Sequence, residues 1–365
     1  MSKFDLIIIG AGISGLSSAL TAVELGLHTA VVEKESCLGG IATDCFHAFI
    51  CGLFQNNALK PFKIANRGLC TDVFDFLHNI YGDKCLVKFG KVEVIAFIQK
   101  DLWNFFENRL NRNNFTLYKG TRIKKTVAMG NKISSVKALT QKDYLKLAAD
   151  VFIDASGCGL SKAAASEQLG GFSILLGGEL KSDLSLLVPY TAFKIVQKYN
   201  LNKYLKFVTI AHNFLENQYI LKFSVQNSGD IKDCKFIYEK LKKRINELAN
   251  LKLLKFSKKI HLRDCVSLQE HEPECSNNDS HCVKSYWPLE KWDMNRGTQY
   301  CYIKDNKPFL IPCSALKDKT FDNLFLAGKS INVSDSIKAS ARVMGVCMAT
   351  GEQTAIKAYK YLKEN

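Results

Sequence analysis

A glycine-rich run, GAGISG at residues 10–15, is followed 18 positions after Gly15 by the acid Glu33. In this spacing Gly10 allows a tight turn, Gly12 lets a pyrophosphate approach the backbone, and Gly15 lets a helix pack closely on a strand. Free N–H groups at the start of that helix attract phosphates. Glu33 can accept hydrogen bonds from a ribose diol, and its charge disfavours the 2′-phosphate of NADP. The pattern predicts a dinucleotide site made by Gly10, Gly12, Ile13, Ser14, Gly15 and Glu33.

The elements around this run have the order that such a site needs. Residues 4–9 (FDLIII) form an apolar run typical of a buried parallel strand. The next segment carries apolar residues at helical spacing, and residues 29–32 (TAVV) read as a second strand that ends at Glu33. Together they predict a complete β-α-β unit.

The rest of the chain adds further elements. We predict, in order, an amphipathic helix at 94–110, a three-stranded meander within 115–148 (strands 115–118, 132–139 and 144–147), a buried strand at 149–155, a helix at 233–251 with a stripe of Ile237, Leu241, Ile245 and Leu248, a polar surface loop at 272–281, a strand at 323–327, and a long final helix that reaches Tyr361.

Three segments resemble the signatures of the glutathione-reductase-like flavoproteins. They are the glycine pair Gly39-Gly40 that follows Glu33, the run ADVFIDASG at 149–157 with Ser156 where Thr is usual, and FDNLFLAG at 321–328. Three later segments, YWPLEKW at 286–292, IPCSAL at 311–316 and ASARVMGVCMATG at 339–351, resemble the broader family of FAD-dependent oxidoreductases. Residues 262–268 keep one arginine, Arg263, where that family usually has two or three.

The resemblance implies an α/β fold with non-covalently bound FAD. It implies a Rossmann-type parallel-sheet FAD-binding domain with a β-meander in residues 1–165 and 307–365, and an inserted α+β substrate domain in residues 166–306. The further residues that it places at the cofactor are Lys34, Gly39, Gly40, Thr43, Ile123, Ala155, Ser156, Gly157, Gly328, Val343, Met344 and Gly345.

Three side chains are candidates for the chemistry beside the flavin. Arg342 precedes the final helix and Arg263 lies in the expected substrate domain, so either could clamp a substrate carboxylate. His47 follows the glycine pair and could transfer a proton. For each of them a purely structural role is the alternative. We therefore expect hydride exchange between FAD and a small organic substrate, with a transient electron donor or acceptor.

Composition limits the other possibilities. The formal net charge of +15 comes mainly from scattered lysines, so a flavoprotein that acts on tRNA, or a non-catalytic FAD-binding protein, is a secondary hypothesis. No apolar run is long enough to span a bilayer, so we expect no membrane contact. The thirteen cysteines contain no CxxC pair and suggest reduced thiols in the cytoplasm, and the spacing of His271, Cys275, His281 and Cys282 fits no familiar zinc pattern. The sequence leaves the oligomeric state open.

Overall fold

The computed structural model describes residues 3–56, 61–157, 169–261, 281–303 and 307–365. Within these ranges the strands are β1 (Lys3–Ile9), β2 (Thr29–Val32), β3 (Phe49–Ile50), β4 (Leu86–Phe89), β5 (Val92–Ala96), β6 (Phe115–Tyr118), β7 (Arg122–Met129), β8 (Lys132–Leu139), β9 (Tyr144–Asp154), β10 (Gly170–Gly177), β11 (Val208–Asn213), β12 (Gln218–Val225), β13 (Lys252–Phe256), β14 (His281–Ser285), β15 (Leu289–Asp293), β16 (Gly297–Cys301), β17 (Phe309–Pro312) and β18 (Leu324–Leu326). The helices are α1 (Ile13–Glu24), α2 (Ile41–Asp44), α3 (Leu69–Tyr81), α4 (Gln99–Leu110), α5 (Leu187–Lys198), α6 (Asp230–Lys242), α7 (Asn246–Ala249), α8 (Asp335–Ala341) and α9 (Met344–Glu364).

The first sheet contains five parallel strands in the order β6-β2-β1-β9-β18. Its central strand is buried on both faces: Leu6 and Ile8 pack towards α1 and α9, whereas Ile7 and Ile9 pack on the opposite side. This burial is why the last four residues of the strand, Leu6 to Ile9, are all apolar. We call the cluster on the side of α1 and α9 the first core.

The carboxyl ends of these parallel strands meet at one edge of the sheet. Strand β1 ends before Gly10, β2 before Glu33, β9 before Ala155, and β18 two residues before Gly328. Ligands of open α/β sheets bind at this edge. The prediction of the first β-α-β unit is therefore confirmed at the level of its elements.

The meander differs from the prediction in its first strand. Strands β7, β8 and β9 pair antiparallel, and β9 continues without a break into the parallel sheet. The predicted first strand, Phe115–Tyr118, instead pairs parallel with β2 as β6. The sequence of a four-residue segment such as FTLY can indicate a strand, but it does not indicate which strand it pairs with. Asn323 fastens the meander to β18, because its Nδ2 donates to the carbonyls of Ile133 and Asp150 at 2.8 and 2.9 Å.

Two predicted helices are shorter than expected. The segment 94–110 begins with residues of strand β5, and α4 starts only at Gln99, because the apolar run that ends at Phe97 is buried between neighbouring elements on all sides. The segment 233–251 forms α6 and α7 with an extended Ile245 before α7. The four stripe residues are all buried as predicted. The predicted loop at 272–281 lies outside the described residues, apart from the first residue of β14.

A second sheet, β11-β12-β10-β13, is antiparallel throughout. Helices α5, α6 and α7 contribute to its apolar cluster, which includes Val188, Phe223, Ile237 and Leu241. We call this cluster the second core. Smaller sheets, β3-β5-β4, β14-β17 and β15-β16, complete the described fold. No helix in the described ranges has the length and apolarity that crossing a bilayer requires.

The expectation that the cysteines are all reduced is wrong for one pair. Cys282 in β14 and Cys313, directly after β17, form a disulfide with a Cα–Cα distance of 5.2 Å. The two strands pair antiparallel, so the chain brings these side chains together although they are 31 positions apart. Spacing in the sequence contains no trace of such a long-range pair.

Candidate functional site

The first glycine turn, residues 10–15, contains glycines that packing requires and one beside open space. A Cβ on Gly10 would lie 2.7 Å from the carbonyl oxygen of Ala155, and one on Gly15 would lie 1.9 Å from that of Gly10. Both glycines are therefore required for packing. A Cβ on Gly12 would meet no atom within 4 Å. Gly12 is also the N-cap of α1 and offers no side-chain cap, so the N–H groups of the first turn, which include those of Ile13 and Ser14, face a space that an anion could enter.

Glu33 is held at the end of β2 beside this turn. Its side chain is 5% exposed; Oε2 accepts a hydrogen bond from the N–H of Ala11 at 2.6 Å, and Oε1 accepts one from Glu35 at 2.8 Å. The N–H of Glu33 donates to the carbonyl of Tyr118, and its carbonyl accepts from the N–H of Thr121. These bonds connect Glu33 to the segment between β6 and β7. Ile123 lies half-buried in β7, and Lys34 is exposed.

The glycine pair packs directly on the first turn. The N–H of Gly39 donates to the carbonyl of Ala11 at 2.8 Å, and φ is +92° at Gly39 and +55° at Gly40. A Cβ on Gly39 would overlap Thr43 and the ring of Trp103, so only glycine fits. Thr43 donates from its hydroxyl to the carbonyl of Leu38 at 2.7 Å and holds the loop closed.

Two further turns reach the same edge. After β9, the buried Asp154 accepts a hydrogen bond from the N–H of Ser156 at 2.9 Å, and Gly157 has a φ of +69°. After β18, a Cβ on Gly328 would lie 2.5 Å from Ser14 Oγ, so this turn packs on the first turn of α1. The structure thus brings the predicted residues of three distant segments together.

The N-terminus of α9 contacts the loop that follows β3. The N–H of Gly345 donates to the carbonyl of Cys51 at 2.9 Å, and a Cβ on Gly345 would lie 2.6 Å from backbone atoms of Gly52 and Leu53. Val343 is the N-cap of α9 and Met344 is buried, as the predicted start of this helix requires.

The three candidate catalytic residues are not brought together as the glycine turns are. Arg342 is half-buried, and its Nη2 donates to the carbonyl of Glu290 at 2.6 Å. Together with Lys329 and Lys338 it surrounds a gap beside Gly328 that is too small for a water molecule. His47 is half-buried after α2, where its carbonyl accepts a hydrogen bond from Gln99 at 3.2 Å. Arg263, together with His271 and Cys275, lies outside the described residues.

Comparison with known families decides the class of this site. The sequence profile of the family described as FAD dependent oxidoreductase matches residues 5–182 and 257–365. The chain belongs to this family. It is an FAD-dependent oxidoreductase, and its cofactor is FAD.

A curated protein shows a partial similarity to this chain. Increased recombination centers protein 15 of Saccharomyces cerevisiae is 28% identical over 127 residues, which are 32% of this chain and 23% of that protein. The match therefore spans less than a quarter of that relative.

Three solved structures share the fold. A geranylgeranyl bacteriochlorophyll reductase-like protein from Thermoplasma acidophilum has a TM-score of 0.50 and 11% identity over 100% of this chain and 84% of its own. A flavin-dependent brominase has a TM-score of 0.54 and 11% identity over 100% of this chain and 80% of its own. The p-nitrophenol 4-monooxygenase of Pseudomonas putida has a TM-score of 0.51 and 9% identity over 100% and 82%. Identities this low establish the common fold alone.

The residues at the glycine turns fit an FAD. Among the described residues, the buried Trp103 Nε1 beside Gly39 and the buried Ser330 Oγ after Gly328 have no hydrogen-bond partner. Buried polar atoms are normally paired, so two unpaired ones at these turns are consistent with a polar ligand that would pair them. Gly12 adds the open space described above.

Sequence reasoning missed several residues of this site. Gly52 is required because a Cβ there would overlap Val343, and Trp103 is brought to Gly39 by α4. Asp44 and His261, whose side chains pair with each other, were also missed. For Gly52, the sequence offered one signal, namely a glycine directly after Cys51. Trp103, Asp44 and His261 depend on contacts between residues far apart in the chain, which no local pattern reveals.

Proposed function

We propose that this FAD-dependent oxidoreductase exchanges hydride between FAD and a small organic acid. The observation that carries the proposal is the group of three cationic side chains around Gly328, namely Lys329, Lys338 and Arg342. Three cationic side chains at a turn expected to approach the cofactor favour an anionic substrate. The guanidinium of Arg342 can bind a carboxylate through two parallel hydrogen bonds.

We also propose the cofactor contacts. Glu33 would accept hydrogen bonds from the ribose, while the first turn of α1, from Gly12 to Ser14, and the glycine pair would hold the pyrophosphate. Lys34, Ile123 and Thr43 would lie along the same path, and Ala155, Ser156, Gly157 and Gly328 would flank the ribityl chain. When bound, FAD supplies the acceptor or donor for the hydride.

The chain itself would supply position and electrostatics. The first turn of α9, at Val343, Met344 and Gly345, has no side-chain cap, and its positive end would favour negative charge on the cofactor. The N–H of Gly345 is bonded to Cys51, so the direct hydrogen bonds would come from the other N–H groups of this turn. Arg342, one residue before that N-cap, would orient the substrate carboxylate. His47 and Arg263 remain candidates for a proton donor and a second carboxylate clamp.

We propose residues 166–306 as the substrate side of the molecule, inserted between cofactor segments 1–165 and 307–365. The second core supports this division, since most of its apolar residues come from 169–251. The three cationic side chains around Gly328 follow β18, in the last of the three segments.

The test is an anaerobic screen of the FAD-loaded protein against small carboxylic acids and their amide analogues, with flavin absorbance as the readout. We expect bleaching by an acid and at least tenfold weaker reaction with its amide, because the amide lacks the charge that Arg342 would bind. Arg342→Ala should raise KM for the acid, whereas the surface variant Arg112→Ala should not. Equal reaction of acid and amide, or an unchanged KM in Arg342→Ala, would contradict an anionic substrate.

A further inference from the structure

The segment 257–261 leaves β13 and remains attached to the second sheet. The N–H of Ser257 donates to the carbonyl of Ser173 at 2.9 Å, and Gly171 and His261 exchange two backbone hydrogen bonds of 2.9 Å each. The segment is therefore an extension of the second sheet. We call it the strap.

The side of the strap that faces the first sheet contacts the chain on both sides of the glycine pair. The N–H of Lys258 donates to Asp44 Oδ1 at 3.0 Å, and His261 Nε2 pairs with Asp44 Oδ2 at 2.5 Å. Lys259 Nζ lies 2.5 Å from Glu35 Oε1. Glu35 lies four residues before Gly39, and Asp44 lies four residues after Gly40. The strap thus joins both flanks of this loop.

These contacts are unequal in strength. The side chains of His261 and Asp44 are only 11% and 14% exposed, and both carboxylate oxygens of Asp44 are used. Leaving such a group without partners is costly. Lys259 and Glu35 are 46% and 33% exposed, and a pair of this kind contributes little. Asp44 is therefore the residue on which the attachment mainly depends.

The charge state of His261 follows from its surroundings. Burial lowers the pKa of His261; Asp44 opposes that change, while Lys259 and Lys329 add to it. At neutral pH His261 is therefore uncharged and donates from Nε2–H. The carboxylate of Asp44 thus receives two N–H hydrogen bonds from the strap.

We propose that Asp44 and His261 are positioning residues for FAD: through them the strap holds the Gly39–Gly40 loop against the first turn and slows release of the cofactor. This inference rests on the proposed cofactor contacts. Its consequence is that binding of FAD and the stability of the second core are linked, because the strap belongs to the second sheet.

The test measures the rate of FAD release from the loaded full-length protein by the rise in free-flavin fluorescence after dilution. We expect about tenfold or faster release from Asp44→Ala and His261→Gln, and less than about threefold from Lys259→Ala. The matched control is Asp5→Ala, because Asp5 also binds a backbone N–H, that of His28 at 2.7 Å, but at the opposite edge of the sheet. This control should release FAD at the wild-type rate.

Circular dichroism and hydrogen exchange separate the outcomes. If Asp44→Ala does not fold, His261→Gln decides, since it leaves the bond from Lys258 to Asp44 intact. Amides of residues 257–261 should exchange more slowly in the FAD-loaded than in the FAD-free wild type. Wild-type release from a folded His261→Gln, or exchange of the strap unaffected by FAD, would overturn the inference. Failure of the wild type itself to bind FAD would instead overturn the cofactor site.

Discussion

The two cores of this molecule are closed by different means. In the first core, backbone meets backbone: Gly15 packs on Gly10, Gly345 on Gly52, and a Cβ on Gly351 of α9 would lie 2.3 Å from the carbonyl oxygen of Ser14 in α1. In the second core, ordinary apolar side chains fill the space between a sheet and its helices. The segment that carries the second core, residues 169–261, holds 16 Lys and Arg against seven Asp and Glu, so its lysines mainly provide a charged surface.

This difference fits the proposed position of the cofactor. Glycine contacts fix the backbone of the first core at distances that tolerate no side chain, and a backbone fixed in this way can present N–H groups to a ligand. The second core tolerates variation in side-chain volume much better, as cores packed by side chains generally do. A region of this kind suits the proposed substrate side of the molecule.

The largest expected effect is on the crossing of α1 and α9. Gly351→Val should leave no stable folded protein, because the added atoms can be accommodated only if the two helix backbones separate. Solubility and circular dichroism measure the loss. A folded Gly351→Val with wild-type thermal stability would show that the backbone contact does not define the first core.

The next effect separates the cores. Phe223 in the second core and Phe325 in the first are both buried, and substitution of either by Ala should cost about 3 to 5 kcal/mol. We expect Phe223→Ala to unfold its sheet and release FAD at a lower temperature than that at which the first core unfolds, because the strap is lost with the sheet. Phe325→Ala should lose FAD and the first core together. A single shared transition in Phe223→Ala would mean that the two cores form one cooperative unit.

The disulfide adds a covalent link on the side of the first core. Cys282 packs against that core, whereas Cys234 of the second core is a buried free thiol whose pKa is raised by burial. Cys282→Ser should destabilise the oxidised protein by about 2 to 4 kcal/mol. Thiol labelling in denaturant without reductant should leave Cys282 and Cys313 unlabelled, and reductant should expose both. Thirteen free thiols, and no effect of Cys282→Ser, would restore the prediction of reduced cysteines.

The smallest effect concerns Glu352, which accepts a hydrogen bond from the N–H of Leu69 at the start of α3. Burial raises the pKa of its carboxyl, so the folded state binds the proton more tightly than the unfolded state does. Ionisation therefore costs stability as the pH rises above 4.5, the ordinary value. Glu352→Gln keeps the acceptor and should gain less than about 1 kcal/mol at neutral pH. Urea titrations at pH 5 and pH 7.5 check that the gain grows with pH; a loss at both values would contradict this sign.

The same difference decides what could be predicted from sequence. Gly10, Gly15 and Glu33 follow from local rules, because each is constrained by the turn in which it lies. Gly52 and Trp103 could not be predicted, since their partners Gly345 and Gly39 are distant in the chain. For the second core, helical spacing predicted that Ile237 and Leu241 are buried. The order of its strands could not be predicted, because the sequence of a short strand does not determine which strand pairs with it.

The most direct test of the central claim is the FAD stoichiometry of wild type and Gly12→Val after reconstitution with FAD. A Cβ on Gly12 meets no protein atom, so the variant should fold as the wild type does. Its side chain would fill the space assigned to the pyrophosphate. The account predicts one FAD per wild-type chain and none on an equally folded Gly12→Val. Stoichiometric FAD on the variant, or none on the wild type, would contradict it.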